Sequence, residues 1–300
     1  MKKLFFISFA FLPLGLFAQD VEKDSVKVYK PVELPVGFTA QLNTVYTKVN
    51  DWEGKMDLYL PVPTGKTTPI IINIHGGGWT NGVKESQGGF NTYFKAGFAV
   101  ANIEYRVRKK ATAPAAVEDA RCALIYLIKN AKTLNIDVNK IVVMGSSAGG
   151  HLALMTGLLE NDHRHDNNCM GVEKIKVAAI IDKYGIADVW GLSHNNAFTT
   201  SKSCANWLGD KKTDSVFGKS VSPVSYVKKS SPPVFIVHGD SDPNVACQQS
   251  VTLHDKLLAA GVKTEMITVV GGRHGKFEKE KNAEINIAIM KFLMSLDEFK

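Results

Sequence analysis

Gly145-Ser146-Ser147-Ala148-Gly149 sets a serine at the centre of a Gly-x-Ser-x-Gly run. The β-branched stretch Ile141 to Met144 precedes it, and a helix-patterned segment, Ala148 to Leu159, follows. Glycines two before and two after the serine suit a turn so sharp that side chains there would collide. Such a turn holds the hydroxyl above a sheet edge and aims the N-terminal dipole of the next helix at it. Ser147 is the candidate nucleophile. It needs a base, an acid to orient that base, and donors for an oxygen that becomes negative.

The donors are expected in His75-Gly76-Gly77-Gly78-Trp79, directly after the apolar run Pro69 to Ile74. Three consecutive glycines are entropically costly, and bare backbone amides at an oxyanion hole justify them. A phosphate loop is the rival, but no Gly-Lys-Ser/Thr follows and no helix pattern opens there. Gly77, Gly78 and Ala148 are the expected donors.

With the order serine, acid, histidine, only His254 and His274 lie far enough along the chain. His254 falls in a helix-patterned segment, whereas His274 sits in the loop Gly271-Gly272-Arg273-His274-Gly275 after the last strand pattern. His274 is the expected base. The acid should follow the preceding strand, where His238-Gly239-Asp240-Ser241-Asp242-Pro243 offers two carboxylates. Asp242 is one step further along and braced by Pro243, so it is favoured. Asp240 is expected to tie the turn through its side chain, and Asp188, after an earlier strand, is the third candidate.

These residues need a frame. Strand signals recur at Leu42 to Val49, Met56 to Leu60, Pro69 to Ile74, Ala99 to Ile103, Ile141 to Met144, Val177 to Ile181, Val234 to Val237 and Met266 to Val270. Helix-length segments lie between them: Ala115 to Lys132, Ala148 to Leu159, Gln248 to Ala260 and Glu278 to Leu296. Strands alternating with helices predict an α/β fold, an eight-stranded, mostly parallel sheet wrapped on both faces. In such a sheet the active face lies at the carboxyl ends of the strands. Residues 186–233 break the alternation and begin on that face, so a lid or pocket wall is expected there. Residues 42–300 read as one domain after an extended lead-in, 19–41.

Residues 1–18 form a separate unit. Lys2 and Lys3 precede an apolar run ending at Ala18, as in a signal peptide cleaved before Gln19. A membrane anchor is disfavoured because the run is short and carries Pro13 and Gly15. The expected location is periplasmic or extracellular. Losing that leader lowers the formal charge by two, from +7 to +5. No basic block or aromatic-interleaved basic stripe accompanies the charge, so a nucleic-acid partner is not expected. Nothing in the chain sets an oligomeric state.

Export permits disulfides. Among Cys122, Cys169, Cys204 and Cys247, the positions after strand ends favour Cys204 with Cys247, leaving Cys122 as a buried thiol in a helix. The tract Asp162-His163-Arg164-His165-Asp166 has metal-binding residue types but is expected to be a solvated loop. His75 and His151 are expected to brace loops, and His238 to be buried and hydrogen-bonded. For Trp79, Trp190 and Trp207, pocket lining and plain packing are equally open.

The ordered set Asp57-Leu58-Tyr59-Leu60-Pro61, His75 to Trp79, Glu104-Tyr105-Arg106, Pro114 to Asp119, Gly145 to Leu152, Tyr184-Gly185 and His238-Gly239-x-x-Asp242 resembles the α/β-hydrolase superfamily from about residue 42 onward. It is most similar to carboxylesterases related to hormone-sensitive lipase, in the branch with bacterial acetylxylan and feruloyl esterases. The resemblance implies serine-esterase chemistry with no metal or organic cofactor, acting on a small-molecule or carbohydrate ester. An amide hydrolase of the same fold is the alternative, and a non-catalytic binder would be expected to have lost part of this set. Two residues depart from the pattern. Ser146 stands where relatives commonly carry Glu or Asp, and Arg273 is unexpected beside the base. Both are expected near enough to the pocket to alter leaving-group preference.

Overall fold

The computed structural model describes residues 28–169, 171–172, 174–195 and 197–300. The signal-peptide reading therefore lies outside the described residues, as does the first part of the lead-in. Ile70, Ile71, Ile72 and Ile74 are all fully buried, although alternate side chains along a strand face opposite ways. That pattern requires cover on both faces of the sheet. Ile70, Ile72 and Ile74 pack with Leu124, Leu152 and Leu253 on one side. Ile71 packs with Phe94, Ile289 and Phe292 on the other.

Eight strands among the described residues form one sheet: β1 (Phe38–Val49), β2 (Trp52–Pro61), β3 (Thr68–Ile74), β4 (Ala99–Ile103), β5 (Ile136–Ser146), β6 (Ala179–Lys183), β7 (Val234–Gly239) and β8 (Thr264–Val269). Their order is β1-β2-β4-β3-β5-β6-β7-β8. Only the pairings of β2 with β1 and β4 are antiparallel. The expected mostly parallel, eight-stranded sheet is what forms. The helices are α1 (Asn91–Lys95), α2 (Ala115–Lys129), α3 (Ala131–Leu134), α4 (Ala148–Leu158), α5 (Val189–Ser193), α6 (Thr199–Leu208), α7 (Ser215–Ser220), α8 (Gln248–Ala259) and α9 (Lys279–Met294).

Three expectations are corrected. The sheet begins at Phe38, not Leu42, because Phe38 to Gln41 pair with Pro61 to Leu58. This edge strand is exposed along most of that stretch, so it shows no hydrophobic period to read. The tract 162–166 is a solvated loop only in part: His163 and Arg164 are exposed, but His165 and Asp166 are buried. Asp166 is 1% exposed and takes both Arg121 Nε (2.8 Å) and Nη2 (2.7 Å), with Arg121 itself fully buried.

The disulfide joins Cys122 to Cys169 across 5.3 Å between Cα atoms, while Cys204 and Cys247 are free. The chain after α4 folds back over α2, pinned by the Arg121–Asp166 pair, and this brings Cys169 to Cys122. The placement of strand ends could not reveal that fold-back. The bridge closes a sequence separation of 47 residues, worth about 4 kcal/mol in the chain-entropy account. Cys122→Ala/Cys169→Ala is expected to lose stability of that order in denaturant unfolding. Insensitivity of the wild type to reductant would contradict it.

Candidate active site

At the end of β5 the backbone turns through Ser147 at φ 55°, ψ −122°, a conformation that costs of order 1–3 kcal/mol for a non-glycine residue. A side chain at Gly145 would lie 2.1 Å from the carbonyl oxygen of Gly149, and one at Gly149 2.1 Å from that of Ile74. The two glycines let the turn close. The Ser147 amide is fixed by the Lys183 carbonyl at 2.9 Å, and α4 begins at the next residue.

Ser147, His274 and Asp242 come from the carboxyl ends of β5, β8 and β7, and the structure brings them together. Ser147 Oγ lies 2.8 Å from His274 Nε2, and His274 Nδ1 lies 2.6 Å from Asp242 Oδ2. A carboxylate can only accept, so Nδ1 carries the proton and Nε2 is left to accept from the serine. Asp242 Oδ1 accepts from the amides of Asn244 (2.8 Å) and Val245 (3.0 Å). His238 Nε2 stands 3.2 Å from Oδ2, while its Nδ1 accepts from Ser250 Oγ at 2.7 Å. Burial works to raise the Asp242 pKa. The hydrogen bonds from His238, His274 and the two amides outweigh it, holding the carboxyl well below the usual range.

The other candidates serve elsewhere. Asp240 Oδ1 accepts from the Gly271 amide at 2.8 Å and from Ser241 Oγ, tying the β7 and β8 loops as expected. Asp188 caps α5 by accepting from the Gly191 amide. His254, on α8, lies 3.1 Å from Thr264 Oγ1.

The glycine loop after β3 closes as a turn in which the Gly77 carbonyl accepts from the amides of Thr80 and Asn81. Gly77 has φ 116°, and a Cβ there would sit 2.0 Å from the Asn81 carbonyl oxygen. This leaves the Gly77 and Gly78 amides without acceptors among the described residues. The Ala148 amide, at the first position of α4, is likewise outside the helix's own bonding.

Trp79 and Trp207 are fully buried and stacked at 4.7 Å. His151 braces both: Trp79 Nε1 donates to its Nδ1 (3.2 Å), and its Nε2 donates to the Val221 carbonyl (2.8 Å). Burial lowers the His151 pKa to about 4, so it stays neutral. Trp190 packs on His194, 4.0 Å between rings. For the three tryptophans, packing is the answer. His75 stacks on Tyr105 at 4.3 Å and braces the glycine loop.

Ser147 and His274 open onto a cavity of about 630 Å³. Its wall is mostly polar, with Asn81, Gln87, Thr200, Ser203 and Asn244, and with Tyr184 beside His274. Thr200 and Ser203 come from α6, within the insert. Ser146 lines the cavity as expected, but Arg273 is exposed and lies outside its lining. Sequence reasoning missed the partnership of His238 with Asp242, although their spacing across a tight turn carried the signal. It named Tyr184 only within the resemblance, with no role, although its ring lies 4.9 Å from that of His274. Nothing local marks that contact, because the loops leaving β6 and β8 come together only over the end of β7 in the folded sheet.

The BD-FAE family model matches residues 56–257, more than half of the chain. The chain belongs to the BD-FAE family. Its fold is that of the α/β-hydrolases. This BD-FAE member is 27% identical over 217 residues to Esterase LipQ of Mycobacterium tuberculosis, covering 71% of this chain and 51% of that one. It thus spans about half the length of that relative. Among solved structures it resembles a truncated form of a carbohydrate esterase from gut microbiota, with TM-score 0.73 and 28% identity over 85% of this chain and 96% of the other. An acetyl ester-xyloside bifunctional hydrolase from Caldicellulosiruptor lactoaceticus gives TM-score 0.70 and 28% identity, over 82% and 89%. Among the described residues, no helix is long and apolar enough to cross a membrane.

Proposed function

We propose that this chain is a serine ester hydrolase working by two-step acyl transfer. The carrying observation is the unbroken relay from Ser147 Oγ to His274 Nε2 at 2.8 Å and from His274 Nδ1 to Asp242 Oδ2 at 2.6 Å. His274 takes the Ser147 proton as Oγ attacks the ester carbonyl, and Asp242 steadies the imidazolium. The Gly77, Gly78 and Ala148 amides hold the oxyanion. The intermediate collapses, the ester C–O bond breaks, and His274 returns the proton to the departing alcohol. Water, deprotonated by His274, then cleaves the acyl-enzyme to release the acid and regenerate Ser147. No step calls on a metal or organic cofactor.

The substrate we propose is a short acyl, chiefly acetyl, ester of a polar alcohol such as a carbohydrate. The hydroxyl- and amide-rich cavity wall supports this, since its side chains offer hydrogen bonds to a polar alcohol. The carbohydrate and acetyl-ester substrates named for the two structural neighbours support it as well. The Cys122–Cys169 disulfide and the leader-like first eighteen residues support export to an oxidising compartment.

A panel of 4-nitrophenyl esters of increasing acyl length, run beside acetylated xylan and aminoacyl anilides, tests the reading. The expected kcat/KM is highest for acetyl, falls with chain length, and exceeds that for any anilide. Faster anilide cleavage would make the chain an amide hydrolase, and rates rising with acyl length would overturn the short-acyl assignment.

A further inference from the structure

We propose that the cavity beside Lys183 is an anion subsite of this active site, built to take a carboxylate carried by the substrate. The inference rests on the ester-hydrolase reading and names a substrate class within it. The cavity is about 270 Å³, and its lining includes Asn73, Gln87, Ser146, Lys183, Asn282 and Asn286. Ser146, Gln87 and Tyr184 also line the space that holds Ser147 and His274, so the two cavities meet there. At ~30 Å³ per water the volume equals roughly nine waters, room for one small ring or acid.

Strand register explains how the cation arrives. Lys183 closes β6 opposite Ser146 at the end of β5. Ile181, two residues back, belongs to the cluster under α1 and α9, so the Lys183 side chain leaves that same face. Asp182 points to the other face, where its carboxyl meets Gly150 and Gly185 and burial pushes its pKa up to about 7. The nearest carboxylate along the chain is thereby unable to serve as counter-ion.

Other cations drawn into this fold are paired. Lys84 meets Asp57 and Glu85, Arg106 meets Asp119, and Arg121 meets Asp166. The Lys183 ammonium has no ion-pair or hydrogen-bond partner among the described residues, and no carboxylate lines its cavity. Lys183 is only partly exposed, and the packing around it lowers its pKa to about 8. An ammonium partly withdrawn from water and without a counter-charge gains from an anion that compensates it. A carboxylate entering beside Ser147 would do so, and the Asn286 amide and Ser146 hydroxyl offer further hydrogens to its oxygens. A substrate bearing this group would be an ester of an acidic sugar or of a comparably small acid.

Kinetics on matched acetyl esters of glucose and glucuronate test the subsite, with wild type, Lys183→Met and Lys183→Arg. The expected wild-type preference in kcat/KM for the glucuronate ester is about ten- to a hundredfold, the effect of one charge-assisted hydrogen bond. Lys183→Met is expected to erase that ratio and Lys183→Arg to keep much of it. A general loss of structure lowers both rates and leaves the ratio alone. A wild-type ratio near one, or one unchanged in Lys183→Met, overturns the subsite.

Calorimetric binding of free glucuronate against free glucose, on the wild type and Lys183→Met, is independent of turnover. If glucuronate binds through Lys183 while no ester is cleaved, the subsite stands and the ester-hydrolase reading falls. If the glucose ester is cleaved and glucuronate does not bind, the subsite falls alone. If the protein neither cleaves nor binds, both fall.

Discussion

Ser147→Ala is expected to lower kcat for an acetyl ester by about 10⁴- to 10⁶-fold, the scale of losing a nucleophile from a relay that acts as a unit. The fold should survive. Gly145 and Gly149 still make the turn, and the Ser147 hydroxyl's hydrogen bond goes to His274 alone. The Ser147 amide contact to Lys183 and its carbonyl contact to the His151 amide are backbone bonds that alanine keeps. Turnover of the purified variant, with its unfolding midpoint beside that of the wild type, separates chemistry from folding. Activity above about one-hundredth of wild type, with an unchanged midpoint, would remove Ser147 from the nucleophile's role.

Asp242→Asn is expected to lower kcat by about 10³- to 10⁴-fold at neutral pH, through the tautomer of His274. The backbone decides which way the new amide points. The amides of Asn244 and Val245 both donate to Oδ1, so the asparagine oxygen must stay there. Its NH₂ group then faces His274 Nδ1 and His238 Nε2. Donating to Nδ1 puts the imidazole proton on Nε2, which can no longer accept from Ser147.

Asp240→Asn keeps an acceptor for the Gly271 amide, and Asp188→Asn keeps the cap of α5, so neither should approach that loss. Kinetics on the three variants decide the assignment; a crippled Asp188→Asn beside an active Asp242→Asn would move the acid to the end of β6.

The same substitution carries a pH signature. The folded pKa of Asp242 is depressed, so its charge contributes stability above the unfolded carboxylate value of about 4. That stability is lost as pH falls from there through the lower folded value. Melts taken from neutral to acid pH should show a shallower acid-side decline in Asp242→Asn.

The parts of this site legible in the sequence are those set by short-range stereochemistry. Gly145 and Gly149 flank a serine because the backbone there admits no side chain, and Gly77 stands where a Cβ would strike Asn81. Almost continuous apolar runs such as Pro69 to Ile74 marked strands covered on both faces, and the order of strands and helices implied the sheet. With strand ends placed on one face, His274 and Asp242 followed as positions one loop beyond their strands.

Tertiary structure alone decided what depends on chain segments meeting from afar. The fold-back after α4 selected Cys122–Cys169 over Cys204–Cys247 and buried Asp166 on Arg121. The packing of the insert sent Trp79 and Trp207 into a buried stack rather than the cavity wall. Strand register turned Asp182 to one face and Lys183 to the other, leaving an ammonium beside Ser146 without a partner among the described residues. Local pattern governs backbone conformation because neighbouring residues share its sterics. Which charges, thiols and rings find one another depends on which loops and faces the completed sheet brings within contact distance.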